Sequence, residues 1–236
     1  MGYSLVRRTL LLASGFQSLG SVLTLVQTGG AGTAPLTNTE AVIVILLNGT
    51  SSAGKTSIAK ALQRVMDAPY LHVPVDSFED MMPDRDIFGE PGSPEWQPLF
   101  NRMLSGFHHS VAALAAAGSN LVVDHLLVQG VVPQNWLAEC LDLLAPFTVY
   151  FIGVHCPLEE LRRRELARGD RGIGQAERQL GRVHRHGVYD LELDTSLLSA
   201  EQCALKIKEL VGRDAHPQAL ITLRRDGSSS PQRRGQ

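Results

Sequence analysis

The sequence predicts an α/β protein, a three-layer domain in which a parallel five-stranded sheet lies between helices. Three observations predict it. Five apolar runs are short and continuous, as strands covered on both faces require. Segments with helical features separate them. A glycine-rich loop follows the first run and leads directly into the first helix. In chain order, strands are expected at Val42–Leu47, Tyr70–Val75, Leu121–Val123, Phe147–Val154 and Val188–Leu193. Between them the crossovers are expected at Lys55–Met66, Asn101–Ala117, Gln134–Leu144, Leu158–Arg168, Ile173–His186 and Ala200–Leu210. The first of these carries Ile58, Ala59, Ala61, Leu62 and Val65 on its apolar side. Ligands of such a sheet bind beyond the carboxyl ends of its strands, so chemistry is sought just after each one.

By composition the 236 residues divide into three parts. In residues 1–40, Arg7 and Arg8 are followed by an uncharged run from Thr9 to Thr39. This leader is expected to be disordered, or to act as an export signal of the twin-arginine kind with Gly29 and Ala31 near a cleavage point. Gln17 and Ser18 interrupt its apolar stretch, so no stable membrane span is expected. Residues 41–212 suit one α/β unit, and residues 213–236, rich in Arg, Ser, Gly, Pro and Gln, read as a disordered basic tail. The 22 basic residues are balanced by 24 acidic ones, which argues against a nucleic-acid-binding surface, since that needs an excess of cations. Cys140, Cys156 and Cys203 are odd in number and far apart, which fits reduced core thiols in a cytoplasmic protein better than a disulfide framework or a zinc site.

After the first strand the chain reads Gly49-Thr50-Ser51-Ser52-Ala53-Gly54-Lys55-Thr56, then Ser57, matching GxxxxGK[ST] at every fixed position. Small residues let backbone N–H groups wrap around phosphate oxygens, and the helix that follows points its positive end at them. Lys55 can then reach the β and γ phosphates of a nucleotide, and Thr56 is placed to ligate Mg2+. Asp76 ends the second strand; it is read either as the base for an attacking hydroxyl or as the N-cap of a helix. Asp124 ends the third strand and is expected to serve Mg2+ or its water shell.

Only four of the 22 basic residues are lysines, and eight of the eighteen arginines fall between Arg162 and Arg185. They surround the break Arg168-Gly169-Asp170-Arg171-Gly172-Ile173-Gly174, which suggests a helical arginine-rich lid that closes on ATP. Arg164, Arg168 and Arg171 are the phosphate candidates. Arg162, Arg163 and Arg178 are expected to be solvated, with Glu159, Glu160, Glu165 and Glu177 as local partners. The stretch Phe78–Phe100, with Met81, Met82, Phe88, Trp96 and four prolines, is expected to wall an acceptor pocket rather than form a plain helix. No metal-ligand spacing joins His108, His109 and His125, so none is expected to bind a metal; His125 is expected to face the site.

Taken together, the loop at Gly49–Thr56, Val75-Asp76-Ser77, Val123-Asp124 and Gly153-Val154-His155-Cys156 leading to Arg164-Glu165-Leu166-Ala167-Arg168-Gly169-Asp170-Arg171 resemble chloramphenicol phosphotransferase-like kinases. So does the end from Val183-His184 through Gly187-Val188-Tyr189-Asp190 to Asp194-Thr195. The resemblance covers about Val42 to Val211. It implies a small P-loop kinase fold that moves the γ-phosphate of ATP to a small-molecule hydroxyl, with Asp76 as base and the Arg168–Arg171 segment in the ATP lid. His125 stands where the family has a carboxylate, and Asp80–Pro98 departs from the family's acceptor wall, so an acceptor other than chloramphenicol is also expected. A nucleoside or sugar-acid kinase, and an ATP-binding regulator without an acceptor, are the alternatives.

Overall fold

A computed structural model describes residues 41–83, 93–128, 136–168, 174–213 and 216–228. The leader, Arg171, Phe88 and the last residues of the tail lie outside this set. The described chain runs β1 (Ile43–Asn48), α1 (Lys55–Val65), β2 (Tyr70–Pro74), α2 (Asp76–Glu79), α3 (Trp96–Ala116), β3 (Asn120–His125), α4 (Trp136–Leu143), β4 (Thr148–His155), α5 (Leu158–Arg168), α6 (Gln175–Val183), β5 (Leu191–Asp194), α7 (Ala200–Gly212) and α8 (Ala219–Ser228). All strand pairs are parallel, in the order β2-β3-β1-β4-β5. The carboxyl ends of β2, β3 and β1 therefore stand side by side, with Pro74 opposite Asp124 and Leu47 opposite Asp124 on the other side.

Alternation along the strands gives the sheet two apolar faces. Ile45, Leu47, Val122 and Ile152 meet Ile58 and Leu62 of α1 and Cys203 and Ile207 of α7 on one face. On the other, Val44, Leu46, Val123 and Phe151 meet Phe107 and Val111 of α3, Leu137 and Cys140 of α4 and Leu223 of α8. Each fully buried Leu or Ile contributes about 1.5–3 kcal/mol through lost contact with water. Capping fixes α7, where Ser199 Oγ accepts from Gln202 N at 3.2 Å and Gln202 Oε1 accepts from Ser199 N at 2.8 Å.

Three expectations need correction. Helix α3 begins at Trp96 rather than Asn101, because Pro98 lies in its first turn, where its missing N–H leaves no intrahelical bond unmade. Strand β5 begins at Leu191 rather than Val188, because Val188 and Tyr189 pack into the core on the α3 side. The expected tail from Arg213 onward contains α8, with Ala219, Leu220 and Leu223 buried. Asp190 Oδ1 accepts from Gln218 N at 2.7 Å and Ala219 N at 3.0 Å, satisfying amides at the start of this helix. Among the described residues no helix is long and apolar enough to cross a membrane.

Candidate active site

The loop after β1 curls because two of its residues adopt positive φ, Ser52 at 60° and Gly54 at 95°. Its first residue, Gly49, lies so close to β4 that a Cβ there would stand 2.4 Å from the Val154 carbonyl oxygen. Lys55 opens α1 and folds back over the loop, donating from Nζ to the carbonyls of Gly49 at 3.0 Å and Thr50 at 2.9 Å. The same ammonium lies 3.7 Å from Asp124 Oδ1. Thr56 donates from Oγ1 to Asp124 Oδ2 at 2.6 Å.

Asp124 is therefore the point where β3 meets the loop, and it is 6% exposed. Burial by itself would raise its carboxyl; the Lys55 ammonium, the His72 ring and the Thr56 hydroxyl outweigh burial and hold it below the usual carboxylate range. His72 Nε2 approaches Asp124 Oδ2 at 3.8 Å and is buried without a hydrogen-bond partner among the described residues. A deprotonated carboxylate beside a hydroxyl is the hard oxygen set that suits Mg2+, and the orphaned His72 nitrogen suits a partner from a hydration shell. Thr56 and Asp124 thus fit the expected metal.

Asp76 is the first residue of α2 and lines the same cleft, as do Glu79 and Asp80. The cleft measures about 1030 Å3 and is bounded by the loop residues Ser51, Ser52 and Gly54–Ser57 together with Asp124, Arg164 and Gln179. Its floor is assembled from distant elements. Arg164 of α5, 25% exposed, donates to Glu160 Oε1 at 2.7 Å, Thr195 Oγ1 at 3.0 Å, the Thr195 carbonyl at 2.8 Å and the Ser52 carbonyl at 3.4 Å. Thr195 Oγ1 in turn donates to the Ala53 carbonyl at 2.8 Å. From α6, Gln179 Oε1 accepts from the Ser51 amide at 2.7 Å.

A family profile for chloramphenicol phosphotransferase-like proteins matches residues 42–212. The chain belongs to this family. A Mycobacterium tuberculosis protein, provisionally named an O-phosphotransferase in two strains, is 29% identical over 201 residues, spanning 77% of this chain and 88% of the relative. Solved structures share the fold at lower identity. A Deinococcus radiodurans tunicamycin resistance protein is 19% identical with a TM-score of 0.54, covering 72% of this chain and 96% of the other. The Mycobacterium tuberculosis APS kinase CysC, solved with AMPPNP and APS, is 18% identical with a TM-score of 0.51, covering 73% and 98%.

Within this chloramphenicol phosphotransferase-like chain the structure brings Lys55, Thr56, Asp76, Asp124 and Arg164 to one cleft. Arg162 is exposed and paired with Glu159 and Glu177, and Arg163, paired with Glu160, lies exposed at the edge of the cleft. The Arg168 side chain, like Arg171, falls outside the described residues. One expectation is overturned, and one residue has a role the sequence did not suggest. Glu165 is buried and accepts from Gly174 N at 2.9 Å and Ala176 N at 2.7 Å at the start of α6. His125 does not face the cleft, because it follows Asp124 on the strand and so points to the opposite side of the sheet, where it meets Phe107. Trp96 stacks on Phe100 at 4.3 Å, and of the described residues in the Phe78–Phe100 stretch Glu79 and Asp80 line the cleft. Gln179, Asn48 and His72 had no local sequence signal: their partners are on other elements.

Proposed function

We propose that this chloramphenicol phosphotransferase-like protein transfers the γ-phosphate of ATP to a hydroxyl of a small molecule. The observation that carries the reading is the convergence of Lys55, Thr56, Asp124 and Asp76 on one cleft. The loop amides and the N-terminus of α1 cradle the phosphates, and Lys55 offsets negative charge on the group in transfer. Asp76 accepts the proton of the acceptor hydroxyl as that oxygen attacks phosphorus, while the bond to the β-phosphate oxygen breaks and ADP leaves. Thr56 and Asp124 would hold Mg2+, which when bound neutralises phosphate charge. Arg164 lines the nucleotide side of the cleft, Arg168 and Arg171 remain phosphate candidates outside the described side chains, and Gln179 sits where its oxygen can yield the Ser51 amide to phosphate.

The acceptor is a hydroxyl-bearing compound of antibiotic size, chloramphenicol included, with nucleosides and sugar acids as the competing class. The test incubates the purified full chain with γ-labelled ATP and an acceptor library of these three kinds. Transfer to one acceptor is expected. Asp76→Asn should reduce it by about 100-fold or more while ATP binding stays within about threefold. ATP binding with no transfer to any acceptor would instead identify a nucleotide-binding regulator.

A further inference from the structure

On the side of the sheet away from the cleft, three elements bring metal-binding side chains to one point. His125 comes from β3, His108 from α3 and Cys140 from α4. One nitrogen of each ring and the Cys140 Sγ all lie within 4.8 Å of one another. All three residues are buried, with exposures of 2%, 1% and 4% for His108, His125 and Cys140. They line a cavity of about 10 Å3 whose remaining walls are apolar, among them Phe107, Val111 and Leu144.

The hydrogen bonds leave the histidines incompletely satisfied. Glu139 accepts from His108 Nδ1 at 2.5 Å and from Ser105 Oγ at 2.5 Å. A carboxylate on Nδ1 fixes the His108 tautomer and aims the Nε2 lone pair at His125 Nε2, 2.8 Å away. His125 donates through Nε2 in that arrangement, which strips its other nitrogen of a proton. That nitrogen, Nδ1, is buried and has no partner among the described residues. A buried imidazole with an unused lone pair, in a cavity shared with a thiol and a carboxylate-backed histidine, is chemically a ligand set.

We propose that His108, His125 and Cys140 form a site for one zinc ion, with Glu139 holding His108 from behind. Nitrogen and sulfur donors exclude the hard cation expected at Asp124. Charge favours zinc over copper(I): two positive charges are balanced by a Cys140 thiolate and the Glu139 carboxylate. Binding breaks the Cys140 S–H bond and the hydrogen bond between the two Nε2 atoms, which frees the His108 Nε2 lone pair for the ion; a Zn–S bond forms and one proton goes to solvent, while each histidine keeps a single ring proton. Because the residues lie in the core, the ion enters as the chain folds and ties α3 and α4 to β3.

The test uses the full chain, purified without a metal-affinity tag and refolded with zinc(II) or with cobalt(II) alone. Expected are about one zinc per chain and a higher melting temperature with zinc than with chelator. With cobalt(II), a thiolate charge-transfer absorption band is expected that Cys140→Ser loses and that Cys156→Ser and Cys203→Ser keep. Wild-type protein that lacks the band and melts at the same temperature with zinc or chelator overturns the site, whether or not the variants fold. Retention of the band in Cys140→Ser, or preferential loading with copper(I), overturns the assignment as well.

Discussion

On the proposed function the Ser51 amide is one of the backbone donors that the loop would offer to a phosphate, and in this structure the Gln179 carbonyl oxygen takes it at 2.7 Å. An incoming phosphate has to displace that oxygen, at a cost near the net value of one hydrogen bond, about 1 kcal/mol. Gln179→Ala is therefore expected to tighten ATP binding about fivefold, read by calorimetry; weaker binding would show that Gln179 contacts the nucleotide directly. The loop residues themselves were legible in the sequence because the chemistry of Gly49–Thr56 is written in eight consecutive positions. Gln179 was not, because its partner lies 128 residues away and a glutamine on a polar helix face carries no pattern. Asn48 is similar. Fully buried at the end of β1, it accepts from Leu127 N at 2.8 Å and donates to the Val183 carbonyl at 3.0 Å, joining segments that only the fold makes adjacent.

Helices α5 and α6 are joined by more than the chain between them. Glu165 of α5 accepts two amides at the start of α6, so the orientation of the second helix depends on a side chain of the first. Glu165→Ala leaves both amides without that partner, and each such loss costs about 1–3 kcal/mol. Hydrogen exchange in α6 should rise by roughly tenfold or more, equivalent to about 1.4 kcal/mol, with α1 unchanged. Equal protection of α6 in the variant would contradict the cap. The bounds of α5 were readable because its flanking residues are strong boundary signals, whereas the role of Glu165 was hidden among neighbouring glutamates that pair with arginines. Helix α8 went unread for a different reason. Its buried side chains, Ala219, Leu220 and Leu223, are too few to lift it above the polar composition around them. It is held by the Asp190 cap and by packing on α4 and β4.

Across the whole molecule, the described sheet separates two cores, and the polar groups near its carboxyl edge set how folding responds to acid. His184 is held down to about 4 from an ordinary 6.5, first by burial and then by the neighbouring His155 and His186 rings. Its Nδ1 meets the Tyr189 hydroxyl at 2.7 Å, and that hydroxyl already accepts from Asn48 at 2.9 Å, so the phenol proton belongs on the His184 side. The unfolded chain takes up this proton more readily than the folded one, so the group lowers stability as pH falls below about 6.5 and adds no further loss below about 4. The melting temperature is expected to drop across that window less steeply in His184→Gln than in the wild type; parallel curves would remove His184 as a cause. The five-stranded parallel architecture was legible because each strand is an unbroken apolar run, while the two-sided chemistry of β3 was not, since it depends on which face each residue meets. Asp124 and His125 are consecutive, yet one meets an ammonium and a hydroxyl and the other a thiol-bearing apolar core. A slip of β3 by a single position would put imidazole under the phosphate loop and a carboxylate among Phe107 and Leu144. Misregistered chains are thus penalised on both faces at once, which makes this strand a proofreading element of the fold.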